Sequence, residues 1–234
     1  MKETTGTTAD AGGRARRDRD EASREPATLP QWAIELFVRP VLHTAFKLTW
    51  GLSLTGVENI PCHTKGGLIV AANHQTYIDP FWISAPLRRP IRYLAWDEAL
   101  EWPVVGKVMK LLGAWPLQIE GRDPAAVRRS LQWLREGGAI VIFPEGGRAK
   151  EDGRVAKFKP GAARIALEAN VPVLPVTIRG GNDIWPRGRR LPGPGKVEIV
   201  YHPPRYLAPL AGEDVRHCAR RETELLAKVI GSAL

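Results

Sequence analysis

Cysteine is nearly absent: the chain holds only Cys62 and Cys218. Neither belongs to a Cys-x-x-Cys pair, which excludes the common zinc and dithiol redox motifs. Cys62 stands directly beside His63, poor spacing for two ligands of one metal, and reads as a free loop thiol. This usage suits a reducing cytosol. No run reaches the roughly 18 uncharged apolar residues that a membrane-crossing helix needs. Residues 1–30 have no apolar stretch of the kind a secretory leader carries, so no leader is expected. Large apolar side chains are also scarce in residues 1–28, which are rich in Thr, Gly, Ala, Arg and Asp. Such a segment buries too little to offset its ordering entropy, and a disordered tail is expected there. There is no internal repeat.

What remains is an ordinary apolar content in 234 residues with a net charge of +9. That length fits one domain with a full core. In residues 1–30, Lys2, Arg14, Arg16, Arg17, Arg19 and Arg24 balance Glu3, Asp10, Asp18, Asp20, Glu21 and Glu25. The whole positive excess therefore lies in the folded body, which should attract anions. Nucleic acid is not the expected anion, because no recognisable motif interleaves the basic residues with aromatics.

Residues 31–50 form an aromatic-rich helical stretch, with Glu35, Arg39, His43 and Lys47 recurring every fourth residue as a polar stripe. Pro40 is expected to break or kink it into two short helices. A basic amphipathic pair with terminal tryptophans suits a membrane interface as well as the domain's own core. After it, apolar runs rich in β-branched residues recur at 68–72, 91–96, 114–119, 139–143, 173–178 and 197–202. Helical patterns lie at 103–112, 124–136, 160–169 and about 213–232. Asp123 and Pro124 mark one helix start and Gly137-Gly138 its end. The alternation predicts an α/β fold, a single layered domain whose central sheet is mostly parallel or mixed and flanked by helices. The Gly-, Pro- and Arg-rich residues 180–196 read as a loop.

The run Leu68–Ala72 leads into Asn73-His74-Gln75-Thr76-Tyr77-Ile78-Asp79. A neutral imidazole removes a proton from a hydroxyl near neutral pH. A carboxylate on its other nitrogen fixes the tautomer and ring angle. Asp79 has that role if residues 75–79 turn into a helix with Pro80 just inside. Asn73 would hold the turn by side-chain hydrogen bonds to backbone. A capping or core histidine is the plain alternative. The second feature is Ala139–Phe143 followed by Pro144-Glu145-Gly146-Gly147-Arg148. A strand ending in a glycine-rich turn exposes N–H groups that cradle an anion, and Arg148 adds a planar fork for phosphate. Glu145 would either accept bonds from substrate hydroxyls or hold Arg148.

Asn73-His74 with Asp79, followed by Phe143-Pro144-Glu145-Gly146-x-Arg148, resembles the glycerolipid acyltransferase family, which includes 1-acylglycerol-3-phosphate acyltransferases. Leu112–Leu117, Lys157–Ala163 and Val171–Ile178 resemble further blocks of that family in the same order. The resemblance spans roughly residues 50–205. It implies that His74 is the general base and Asp79 its partner. It also implies that Glu145, Gly146 and Arg148 bind a phosphorylated acceptor, with Asn73, Gly147, Arg122 and Lys159 as further acceptor-side candidates. Pro175 would shape the acyl-donor side of the cleft. The donor would be an acyl-CoA or acyl carrier protein thioester, with no metal or other cofactor. The acceptor would be a lysoglycerophospholipid precursor. The implied layout is a tail at 1–28, membrane-interface helices at 29–50 and an acyltransferase domain at 51–234. The implied location is cytoplasmic, peripheral on the inner face of the cell membrane.

Two departures stand out. Gly147 occupies a position where the family has Thr or Ser, and Ile119 stands where its second block carries Arg, with Arg122 three residues on. Both weaken the case for phosphate and leave a glycolipid or other non-phosphate lyso-lipid open as acceptor. A thioester hydrolase using the same base is a further alternative.

Overall fold

The computed structural model describes residues 28–61, 66–96, 105–117, 123–150 and 153–234. The tail expected at 1–28 lies outside the described residues as far as 27, and so do Cys62, Ile119 and Arg122.

Each apolar run becomes a strand: β2 (Leu68–Ala72), β3 (Ile91–Trp96), β4 (Ala114–Leu117), β5 (Ala139–Ile142), β6 (Val173–Arg179) and β7 (Glu198–Tyr201). A further strand, β1 (Ser53–Thr55), has both its end residues exposed and so leaves no apolar signature in the sequence. The strands join in one sheet in the order β1-β7-β6-β2-β5-β3-β4. Every pairing is parallel except the antiparallel β6–β7 pair. The fold is therefore α/β with a mostly parallel sheet, as the alternation of periods requires. β2 lies between β5 and β6 and is buried along its whole length, the pattern of a strand covered on both faces.

Alternate β2 side chains feed two cores. Leu68, Val70 and Ala72 pack with Phe46, Trp82, Ile83 and Tyr201, drawing on α1 (Arg39–Trp50) and α2 (Asp79–Ser84). Ile69 and Ala71 pack with Leu131, Leu134, Ala163, Ala166 and Leu226. These last come from α4 (Pro124–Arg135), α5 (Gly161–Ala169) and α6 (Val215–Gly231), while α3 (Val105–Leu111) leads into β4. The Asp123 side chain caps α4 by accepting from Ala126 N at 2.8 Å, with Pro124 in the first turn. Trp82 is fully buried in the first core. Truncating such a side chain to alanine costs about 3–5 kcal/mol.

Pro40 does not break the first helix. A helical turn at Gln31–Ala33 widens into a π turn at Ile34–Val38 and continues as α1. Proline has no N–H to offer the carbonyl four residues back. The turn just before it is of the wider kind, with Arg39 N donating to Ile34 O five residues back. The expected polar stripe is also corrected. Arg39 is buried and donates to Leu87 O and to Arg89 O, so its guanidinium fastens the helix to the domain. Of that stripe only Lys47 is exposed, and beside it, Thr44 and Thr49 the helix leaves large apolar side chains outward: Trp32, Leu36, Phe37, Val41 and Leu48, the last 82 % exposed. Among the described residues no helix is long and apolar enough to cross a membrane.

Candidate active site

His74 follows β2 at the carboxyl edge of the sheet, and α2 begins five residues later with Asp79 and Pro80 in its first turn. The intervening turn folds onto Asp79. His74 Nδ1 lies 2.9 Å from Asp79 Oδ2, with the Asp79 side chain fully buried and the imidazole 17 % exposed. Gln75 N and Thr76 N donate to Asp79 Oδ2 at 2.5 and 2.8 Å, and Thr76 Oγ1 donates to Oδ1 at 2.6 Å. A carboxylate so surrounded orients the ring through Nδ1 and leaves Nε2 on the far side of the ring. Phe143 stacks on the imidazole with 4.0 Å between centroids and 17° between planes. The ring is thereby fixed from the side as well as from behind.

The supporting residues are placed differently from the sequence expectation. Asn73 is fully buried and does not hold the turn. Its amide donates to Ile178 O at 3.0 Å and accepts from Ile178 N at 2.7 Å, tying the end of β2 to β6. Glu145 does not pair with Arg148. Its Oε1 accepts His74 N and its Oε2 accepts Ala156 N, both at 2.6 Å. Burial pushes the Glu145 pKa up, while the two main-chain donors act against that shift. Glu145 thus grips the backbone on which His74 is mounted. The returning contact is Ala149 N donating to His74 O at 2.7 Å.

Arg148 is held close to the His74 turn. Nε donates to Gln75 O at 3.1 Å and Nη2 to Trp185 O at 2.7 Å, and the guanidinium lies 4.1 Å from the Tyr77 ring centroid. Tyr77 and Trp185 meet edge to face at 5.4 Å. A guanidinium oriented this way presents its remaining N–H edge as an anion fork. Gly146 has φ of 72°, and a Cβ there would lie 2.7 Å from Lys159 Nζ, so the lysine rests directly over this turn. Gly147 is exposed and faces open space. His74, Asp79, Glu145, Gly146, Gly147, Arg148 and Lys159 are therefore brought together. Asn73 lies beneath them, and Arg122 is outside the described residues.

Sequence reasoning missed Gln75, Thr76, Tyr77, Phe143 and Trp185 as parts of the site. The first three lie inside the motif itself, where spacing alone could have drawn attention to them. Trp185 comes from the loop at 180–196, which opens with a helical turn at Gly181–Ile184. That loop and its neighbours are not a uniform free basic patch. Arg89 donates to Gly66 O and Pro61 O, Arg92 stacks on Trp133, and Arg179 pairs with Glu198. Arg187, Arg189, Arg190 and Lys196 remain exposed. Pro175 sits inside β6 beside Ala71. Among the described residues no cluster of three or more His, Cys, Asp or Glu could hold a metal.

The family model described as Acyltransferase matches residues 51–179, more than half of the chain. A chloroplastic 1-acyl-sn-glycerol-3-phosphate acyltransferase of Brassica napus is 31 % identical over 158 residues, covering 65 % of this chain and 44 % of that protein. The 1-acyl-sn-glycerol-3-phosphate acyltransferase of Bacillus subtilis is 27 % identical over 176 residues, covering 75 % of this chain and 84 % of that protein. The chain spans less than half the length of that Brassica protein and of the chloroplastic 1-acyl-sn-glycerol-3-phosphate acyltransferase LPAT1 of Arabidopsis thaliana. The crystal structure of the 1-acyl-sn-glycerophosphate (LPA) acyltransferase PlsC from Thermotoga maritima superposes with a TM-score of 0.67 at 26 % identity. That match covers 95 % of this chain and 89 % of that one.

Proposed function

This chain belongs to the acyltransferase family, and from that premise we propose that it moves a fatty acyl group from an acyl thioester to a hydroxyl of a lysoglycerophospholipid precursor such as 1-acylglycerol-3-phosphate. The observation that carries the reading is the 2.9 Å contact of the His74 ring with a fully buried Asp79, at the edge of the sheet. His74 Nε2 takes the proton of the acceptor hydroxyl as its oxygen attacks the thioester carbonyl. The tetrahedral intermediate collapses, the carbon–sulfur bond breaks, and the imidazolium returns the proton to the leaving thiolate. General-base assistance of this kind contributes roughly 10²–10⁴ in rate, and positioning contributes more. The intermediate's oxyanion needs N–H donors, and the Gly147–Arg148 backbone is the candidate for that purpose, since Gly146 N already donates to Phe143 O. Cys218 is buried, which supports direct transfer without an acyl-enzyme.

Arg148, with Lys159 over the same turn, is the anchor for the acceptor phosphate. The donor is acyl-CoA or an acyl carrier protein thioester. The outward apolar face of the first helix lies in a membrane interface, and the exposed Arg187, Arg189, Arg190 and Lys196 engage anionic headgroups there. Because such donors are cytosolic, the protein sits peripherally on the inner face of the membrane. A second reading, transfer to a non-phosphate lyso-lipid, is favoured by Gly147, which offers no hydroxyl to a phosphate.

The test is mass spectrometry of the lipids formed when purified protein receives mixed lyso-acceptors with each donor type. Phosphatidic acid from 1-acylglycerol-3-phosphate, abolished by His74→Ala in a protein that still melts cooperatively, is the expected result. Thiol release independent of acceptor would move the assignment to a hydrolase. Product from neutral acceptors alone would favour the second reading.

A further inference from the structure

Thr76 has no part in the proton transfer just described, yet its hydroxyl is the most constrained in the site. The residue is fully buried. Its Oγ1 accepts Ile78 N at 3.0 Å and donates to Asp79 Oδ1 at 2.6 Å. A hydroxyl has one proton to give. With Ile78 N–H pointing at its oxygen, that proton is directed to Asp79 Oδ1. The other carboxylate oxygen faces Gln75 N and Thr76 N, which can only donate. Both oxygens of Asp79 thus receive donors. The only hydrogen compatible with the short Nδ1–Oδ2 contact is one carried by the imidazole.

We propose that Thr76 is the positioning residue that secures His74 as the Nδ1–H tautomer: its bond to Oδ1 keeps the Asp79 carboxylate from turning, so that Oδ2 stays on Nδ1. The hydroxyl acts through Asp79 and does not touch substrate. Its methyl has a separate task. A Cβ at Gly181 would lie 3.3 Å from Thr76 Cγ2, so the methyl packs against the helical turn that precedes Trp185. Hydroxyl and methyl therefore separate cleanly: Thr76→Val keeps the packing and removes the donor, whereas Thr76→Ser keeps the donor and removes the packing.

The inference rests on the proposed general-base role of His74, and its test has one arm that needs no substrate. Nitrogen NMR of the imidazoles, at a pH where they are neutral, reports which ring nitrogen carries hydrogen. The His74 signal among the five histidines is identified by its loss in His74→Ala. Wild type and Thr76→Ser are expected to show a single Nδ1–H tautomer, and Thr76→Val a mixture of both. In turnover, Thr76→Val is expected to lose roughly 10- to 100-fold in kcat, the span that one charge-assisted hydrogen bond supports. Its KM values should stay within about twofold, and Thr76→Ser should recover to within about threefold of wild type. Should Thr76→Val not fold, Thr76→Ala is read in its place. An unaltered tautomer signal in the variant lacking the hydroxyl overturns the proposal, and so does a Thr76→Ser protein as impaired as Thr76→Val. A wild-type protein without transferase activity would defeat the functional reading while leaving the tautomer comparison intact.

Discussion

His74 and Glu145 are joined through the main chain: the His74 N–H donates to Glu145 Oε1 at 2.6 Å, and the other oxygen of the same carboxylate receives Ala156 N. A carboxylate with both oxygens engaged by main-chain amides has less left for an acceptor hydroxyl. Its role is to set the height of the histidine backbone above β2, while Asp79 sets the ring.

Glu145→Gln tests that division. Glutamine has one carbonyl oxygen, and its NH₂ group would face a second N–H. One main-chain donor would then lose its partner, at about 1–3 kcal/mol. The expected outcome is a lower melting temperature and a large fall in kcat, with the acceptor KM within about twofold of wild type. A rise in acceptor KM at unchanged kcat would show that Glu145 contacts the acceptor after all.

Gly147 gives a test of acceptor class. A Cβ there meets no atom within 4 Å, and the residue is exposed, so Gly147→Thr adds a hydroxyl beside Arg148 without displacing a neighbour. If the acceptor carries a phosphate, one further hydrogen bond to it should lower the acceptor KM by about tenfold. A neutral lyso-lipid offers no such partner, and its KM should not move. Measuring both acceptors on the variant separates the two readings of function.

How much of this was legible in the sequence differs between sheet and site. β2 and β5 could be found because a strand buried on both faces must be continuously apolar. β1 could not, because three residues at a sheet edge carry no period. Asp79 was legible because its distance from His74 and the following Pro80 define a turn into a helix. The backbone partners of Asn73 and Glu145 were not legible because they lie far away in sequence, at Ile178 and His74, and no local pattern encodes a long-range hydrogen bond. Arg39 belonged to a convincing polar stripe. Its burial was set by the carbonyls of Leu87 and Arg89, which only the assembled fold brings to it. Trp185 was hidden by its place in a loop whose composition suggested only charge.

Acid stability should depend on Glu213. Its carboxylate accepts from Arg221 Nε and Nη2 and from Leu210 N, and these bonds, led by Arg221, hold its pKa down to about 2. The native state then binds fewer protons than the unfolded chain over the interval between that value and the ordinary glutamate range. The sign follows: the stabilisation is fully present above the ordinary range and is lost as pH falls toward about 2. Melting temperature followed across the acid range should decline less steeply in Glu213→Gln than in wild type, starting from a lower value near neutrality. Parallel acid limbs for the two proteins would assign the effect to other carboxylates.

The outward face of the first helix makes the last prediction. Leu36 and Phe37 are exposed in the turn preceding Pro40 and touch none of the core, so replacing them tests the surface without disturbing the fold. Burying each in an interface is worth roughly 1.5–3 kcal/mol. The double change Leu36→Ser, Phe37→Ser should therefore weaken binding to anionic liposomes by at least about tenfold while the melting temperature holds. Arg187→Gln with Arg190→Gln should act differently. It should remove the dependence of binding on anionic lipid and on salt, since screening acts on exposed charge and leaves apolar insertion alone. If the protein binds liposomes equally with and without Leu36 and Phe37, the helix is a cover for the domain rather than its contact with lipid. The proposed transfer would then have to draw its acceptor from dispersed lipid, a difference that activity on micelles against bilayers would expose.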